Sequence, residues 1–265
     1  MKIDCALLPR LIQQGQLAGQ IAVVVDVLRA STVIVTALES GSPWISPVKT
    51  RADAYDLQKQ HVSECPLLAG ERLGLKISGF DLGNSPLEFS SAAIAGRPLI
   101  MTTTNGTTAI LRTRKARRVV IGAFINLTAI VNTINNCEEL LLVCSGTRGK
   151  ISLEDTACNG AIIERLIHSG KSVILSDAAT IAYQVYVQYK ENLVDMMKTK
   201  SEHGRKLIKL GFEKDIEFAA TIDRARAVPL LEFPGCFIKP LGQQKESLNY
   251  MDGRNYSPVG TKEHD

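Results

Sequence analysis

The chain has 265 residues, 45% hydrophobic and 22% charged, enough to bury a sizeable core in one large domain or two small ones, and this composition excludes a disordered chain or a coiled coil. Thirty-one Lys and Arg against 27 Asp and Glu leave a net charge of +4, too small and too evenly spread for a polyanion-binding surface, so no nucleic-acid partner is expected. No apolar run approaches the roughly 18 residues of a membrane helix, and Met1-Lys2-Ile3-Asp4 followed by Pro9-Arg10 does not fit a secretory leader, so a soluble cytoplasmic protein with no membrane partner is expected.

Short runs rich in Val, Ile and Leu alternate with segments of helical period, which predicts an α/β fold, layered α/β/α, with mostly parallel, buried strands. The first clear strand covers 21–27 and puts Asp26 at its carboxyl end; Ala30-Ser31-Thr32 then opens a helix that runs to Glu39 and stops at Gly41. Further strands are predicted at 44–48, 67–69, 99–102, 119–122, 140–144 and 173–176, with helices near 50–60, 87–95, 106–114, 127–136 and 153–169. The stretch 178–226 breaks this rhythm with three successive helices, at 178–190, 195–210 and 214–225, interrupted at Gly204 and Gly211; it reads as a cap or an added helical layer. Short strands follow at 228–231 and 236–238, and the polar segment 242–265 reads as a poorly ordered or peripheral tail. A second β-α series beginning near 123–126 suggests two α/β subdomains, 1–125 and 126–241, the second carrying the helical segment 178–226, and then the tail.

Polar and charged residues collect directly after apolar strands, where open α/β sheets place ligands. Four segments do so: Asp26 to Thr32, Gly70 to Gly74, Thr102 to Thr107 and Cys144 to Gly149. The third and fourth share one design, a strand, then hydroxyls and glycine, then a helix, which offers unpaired N–H groups to a phosphate, sulfonate or carboxylate. Either loop alone is first of all a helix cap or a turn; two of them together with Arg29 and Arg148 point to an anion site.

Carboxylates supply the other half of the chemistry. Asp26 ends a buried strand and needs a cation or strong donors, so a divalent metal or Arg29 is its natural partner, with capping of the following helix as the plain alternative. Glu71 and Asp81 lie in the Gly-rich connection 70–85, and Glu154-Asp155 opens a helix, where negative charge is favourable even without a ligand. Oxygen ligands of this kind suit Mg²⁺ better than Zn²⁺. The six Cys contain no CxxC pair and read as ordinary thiols, and the four His stand outside the polar loops and read as surface or ordinary helix residues.

Three familiar phosphate chemistries fail against the text. No GxxxxGK[ST] occurs; a Cys-x5-Arg loop from Cys144 would need Arg at 150, where Lys150 stands; and Asp26 lacks a second Asp two residues on, where Leu28 stands.

VVVDVLRAST at 23–32, GERLGLKISGFDLGNSPLEF at 70–89, TTTNGT at 102–107 and CSGTRGKISLEDTACNG at 144–160 together resemble, in order, the motifs of the 2-phosphosulfolactate phosphatase (ComB) family, over about residues 1–235. The departures are modest: Leu73 and Ser78 stand where smaller or different residues were expected. The resemblance implies an α/β/α, Mg²⁺-dependent phosphomonoesterase that converts 2-phospho-3-sulfolactate to 3-sulfolactate and phosphate. The resemblance implies that these segments assemble the site but does not carry individual roles; from the chemistry of the residues, Asp26, Arg29, Arg148 and Asp155 are expected to be catalytic, Ser31, Thr32, Asn84, Thr104, Asn105, Gly106, Thr107, Ser145, Gly146 and Thr147 to meet the substrate, and Asp26, Glu71, Asp81 and Glu154 to hold the metal. Whether water attacks directly or a phosphoryl-aspartate forms first is left open, as is a homo-oligomeric state. The partner expected is a small anionic phosphate ester. The alternative reading is a non-catalytic sensor of a sulfonated or phosphorylated metabolite, against which the acids beside the anion loops argue.

Overall fold

A computed structural model of the chain describes residues 1–15, 17–232 and 236–242, so nearly all of the polar tail expected at 242–265 lies outside the described residues. The strands are β1 (Lys2–Ala6), β2 (Ile21–Val25), β3 (Ile45–Pro47), β4 (Leu67–Arg72), β5 (Leu75–Lys76), β6 (Leu99–Thr102), β7 (Arg118–Gly122), β8 (Glu139–Cys144), β9 (Ile174–Leu175), β10 (Pro229–Glu232) and β11 (Phe237–Pro240). They form one eleven-stranded sheet in the order β5-β4-β6-β3-β11-β10-β7-β2-β8-β1-β9. The α/β expectation holds, and the sheet is mostly parallel.

Two parallel blocks, β4-β6-β3 and β7-β2-β8-β1-β9, are joined by the antiparallel hairpin β10–β11, which pairs with β7 on one side and β3 on the other. Strands from before and after residue 125 interleave in the second block. Residues at or after the ends of β2, β4, β6 and β8, drawn from both blocks, line one cleft.

β2 is buried at all five positions because helices cover both faces of the sheet. Alternation decides which helix each residue meets. Val24, Val119, Ile121 and Val143 pack with α1 (Ala30–Glu39) and with Ala109 and Ile110, whereas Val23, Val25, Val120 and Leu142 pack against residues of α5 (Leu127–Ile134) and α6 (Leu153–His168). α6 packs against α7 (Asp177–Tyr189), which also contacts β1, and β1 pairs with β8.

Several boundaries move. The helix read at 87–95 is a single turn at Pro86–Glu88 followed by α3 (Ser91–Ile94), after α2 (Arg51–Gln60), and the one at 106–114 is α4 (Gly106–Arg112). The helix read at 195–210 is broken at Ser201. Its first part is α8 (Leu193–Asp195), continued by a π turn over Met196–Lys200; its second is α9 (Glu202–Lys209), whose Gly204 N–H donates to the Ser201 hydroxyl at 2.9 Å. Gly204 therefore sits in a capped first turn and is not an interruption. The helix read at 214–225 is the shorter α10 (Glu213–Ala219). No helix among the described residues is long and apolar enough to cross a membrane.

Candidate active site

Asp26 follows β2 directly, and the chain turns at once into α1. The Ser31 hydroxyl accepts the Asp26 N–H at 2.7 Å, and Asp26 Oδ1 accepts the Ala30 N–H at 3.2 Å, so the carboxylate faces the positive end of α1. Burial pushes the Asp26 carboxyl up to about 7; the Ala30 N–H and the Ser145 hydroxyl work against that shift, and the neighbouring charges of Glu71 and Glu154 add to it. Gly106, the first residue of α4, lies against this group: a Cβ there would stand 2.6 Å from Asp26 Oδ2 and 2.5 Å from the Ala30 methyl. Only glycine lets the β6–α4 loop approach so closely.

Behind Asp26 lies a second acidic layer at the start of α6. Asp155 accepts the Val27 N–H at 2.9 Å on one oxygen, and the Ser145 hydroxyl and Gly146 N–H at 3.1 Å each on the other. Burial, then the charges of Asp26 and Glu154, raise its carboxyl well above the usual range, with the Val27 bond opposing them. It ties the β2 and β8 loops together. Glu154 is also buried, and its Oε2 has no hydrogen-bond partner.

Glu71, near the end of β4, is fixed from both sides: its oxygens accept the Gly74 N–H at 2.7 Å and the Thr104 N–H at 2.8 Å. Burial opposes its ionisation, but these N–H groups, with Arg29, outweigh it and hold the carboxyl below its ordinary value. The Arg29 guanidinium is anchored, bonding Asp215 Oδ2 at 2.7 Å and the Gly74 carbonyl at 2.6 Å and stacking over the Phe212 ring at 4.3 Å.

These elements enclose a narrow cleft that opens to solvent. Asp26, Leu28 and Arg29 form one wall; Glu71, Leu73, Gly74 and Asn84 a second; Thr103, Thr104 and Asn105 a third; Thr147 and Arg148 a fourth, and His203 and Lys206 of α9 close it. The Arg148 N–H donates to Asn105 Oδ1 at 3.1 Å, joining the β6 and β8 loops. Four buried side-chain polar atoms among the described residues lack a partner; Asn84 Oδ1 and His203 Nδ1 belong to residues that line the cleft, and Glu154 Oε2 belongs to the acidic layer whose charge acts on Asp26. Such atoms are uncommon in folded proteins and point to groups that a ligand satisfies.

Asp26, Arg29, Glu71, Asn84, Thr104, Asn105, Thr147 and Arg148 thus converge as the sequence suggests. Asp81 does not: it is exposed and accepts the Leu68 N–H at 2.8 Å, fastening the Gly-rich connection to β4. Ser31, Thr32 and Thr107 do not line the cleft; the Thr32 hydroxyl donates to the Val27 carbonyl at 2.8 Å, and Thr107 exchanges bonds with Thr103. Ser145, Gly146 and Gly106 shape the loops behind it. His203 and Lys206 were not singled out by the sequence, where each His reads as a surface or ordinary helix residue; their spacing of three puts both on one face of α9. No motif marks them.

The donor chemistry fits a hard divalent cation. Among the described residues no group of three or more His, Cys, Asp or Glu is arranged to hold a metal ion. Mg²⁺, however, uses one or two carboxylates and takes its other oxygens from water and phosphate. Asp26, whose ionised form burial and like charge disfavour, and Glu154, with an unpartnered buried oxygen, are the pair that a cation would relieve.

A family model described as 2-phosphosulpholactate phosphatase matches residues 6–233. The chain is 45% identical over 210 residues to a probable 2-phosphosulfolactate phosphatase of Thermotoga petrophila, covering 79% of this chain and 88% of the relative. A protein of the same description from Symbiobacterium thermophilum is 38% identical over 216 residues, 81% and 92% of the two chains. One from Clostridium acetobutylicum is 38% identical over 232 residues, 86% and 97%.

Proposed function

Because the chain belongs to the 2-phosphosulfolactate phosphatase family, we propose that it is a phosphoric monoester hydrolase that releases phosphate from 2-phospho-3-sulfolactate with Mg²⁺ as cofactor. The observation that carries this reading is the shared cleft: Asp26 at the head of one wall, the Thr104-Asn105 and Thr147-Arg148 loops around it, and cationic side chains opposite. A substrate bearing phosphate, carboxylate and sulfonate needs several separate anion contacts of that kind.

In the reaction a water oxygen–phosphorus bond forms, the phosphorus bond to the C2 oxygen breaks, and that oxygen takes up a proton. Asp26 and Glu154 would hold Mg²⁺, which when bound supplies charge neutralisation to the phosphoryl oxygens. The protein's own part is positioning and electrostatics. Arg148, tied to Asn105 through its N–H, keeps its guanidinium free for an anion. Arg29 is held in one place by Asp215 and Phe212 and sets a fixed positive charge beside Glu71. Asp155 locks the two strand-end loops to each other. Leu28 and Leu73 line the cleft as its apolar members.

The test is phosphate release by the purified protein from 2-phospho-3-sulfolactate and from 2-phospholactate, with Mg²⁺ and with chelator. Turnover that disappears on chelation supports the assignment. Tight binding of either ester without release of phosphate would instead make the protein a receptor.

A further inference from the structure

A second hollow, of about 300 Å³, adjoins the catalytic cleft and shares Thr104, Asn105 and Arg148 with it. Its other walls are the chain after β1, which brings Leu8 and Arg10, and one face of α4, which brings Thr108 and Arg112 at a spacing of four. Three arginines on three separate elements thus meet at one space whose lining contains no Asp or Glu. Arg10 Nη1 donates to the Gly149 carbonyl at 3.3 Å and Arg112 Nε to the Pro9 carbonyl at 3.1 Å, while Arg148 is held only through its main-chain N–H. These bonds fix the arginines in place and leave most of their guanidinium donors unused. Among the described residues none of the three is paired with a carboxylate, and the Thr108 hydroxyl has no partner. The sequence has no Asp or Glu between Glu88 and Glu138, so α4 and its neighbours bring no counter-charge. Arginines gathered in this way attract an anion from solution.

We propose that this hollow is an effector site for a small organic acid of two or three negative charges, separate from the catalytic cleft and coupled to it through Arg148. Planar guanidinium forks match the oxygens of such acid groups, and buried Leu8 offers an apolar contact to a short carbon frame. Arg148 stands at the tip of a two-residue turn closed by main-chain bonds of 2.9 and 3.0 Å between Thr147 and Lys150, and there it borders both spaces. Anions on its two sides divide its donors and repel each other. An acid in the hollow therefore weakens binding in the cleft, and a ligand in the cleft weakens binding of the acid by the same factor. The coupling rests on the phosphatase reading above, whereas the site itself does not.

The experiment titrates tricarballylate into the metal-free protein by calorimetry. Wild type is expected to bind it with a Kd of about 1 mM or tighter. Arg10→Gln and Arg112→Gln each weaken binding about tenfold, the loss of one charge-assisted contact. Two controls, Lys206→Met in the catalytic cleft and Arg226→Gln on the exposed surface, leave it unchanged within about threefold. In the phosphatase assay at fixed free Mg²⁺, tricarballylate raises KM for 2-phospho-3-sulfolactate, and Arg112→Gln loses this inhibition while its kcat/KM without the acid stays that of wild type. Absence of binding up to about 10 mM, or a loss in Arg112→Gln no larger than in Arg226→Gln, overturns the site. So does binding that Lys206→Met weakens and Arg112→Gln spares, because the acid then lies in the catalytic cleft. Arg112-dependent binding by a protein that hydrolyses neither ester supports the site and removes the phosphatase reading; hydrolysis without such binding does the reverse.

Discussion

Arg29 and Asp215, 186 residues apart, form a 2.7 Å ion pair in which both side chains are almost wholly buried. The second Asp215 oxygen accepts the Ser85 hydroxyl at 2.6 Å, so one carboxylate from α10 fixes both the loop after β2 and the residue next to Asn84. Removing one partner of such a pair leaves an unpaired buried charge. Asp215→Asn is therefore expected to cost about 3–5 kcal/mol in denaturant unfolding and to lower kcat/KM by freeing Arg29. The double variant Arg29→Met/Asp215→Leu should regain much of the stability and none of the activity. Recovery of activity in the double variant would show that Arg29 has no part in the site.

Asp26 gives a pH signature in the metal-free protein. Its folded-state pKa, near 7, lies above the ordinary 3.8, so the folded chain holds a proton that the unfolded chain releases. Stability is then fully present below about pH 4 and is lost as pH rises toward 7. Asp26→Asn cannot ionise there. With chelator present, the variant should resist urea better than wild type at pH 8, and the gap should close at pH 4; a gap independent of pH would contradict the raised carboxyl.

Gly106 sets the distance between the β6–α4 loop and Asp26. Gly106→Ala would push a methyl against Asp26 Oδ2 and the Ala30 methyl, and displacements of an ångström at a reacting group cost on the order of a hundredfold. A fall of that size in kcat, with the circular dichroism spectrum retained, is the expected outcome. Unchanged kcat would mean that the loop yields without moving Asp26.

Gly160 tests the scaffold instead of the chemistry. It lies where α6 crosses α7, and a Cβ would collide with the Ala182 carbonyl oxygen and approach the Tyr186 Cβ to 2.6 Å. Gly160→Ala should lower stability by about 2–3 kcal/mol through overpacking, despite the better helix propensity of alanine. Thermal unfolding reads this directly; a neutral or stabilising result would show that the helices can separate.

The central strands and the loops that follow them were legible because β2, β6 and β8 are covered on both faces and so appear as unbroken apolar runs ending in polar residues. β1 escaped notice because Lys2 and Asp4 are exposed and interrupt its apolar run, and β5 because both of its residues are exposed. Asp81 was misplaced for a local reason: an acid in a Gly-rich connection looks the same whether it turns to a ligand or, as here, to the Leu68 N–H. His203, Lys206 and Asp215 were out of reach. They stand on short polar helices with no motif, and only the packing of α9 and α10 over the cleft, more than 120 residues from the Glu71 segment, gives them a role.

Phosphate release from 2-phospho-3-sulfolactate with Mg²⁺ by wild type and Asp26→Asn, compared at matched folded concentration, tests the role of Asp26 most directly. Steady release by wild type and a loss of at least a thousandfold in the variant is the expected result. Equal release by both proteins would mean that Asp26 is not at the centre of the chemistry and that the strand-end cleft serves some other end.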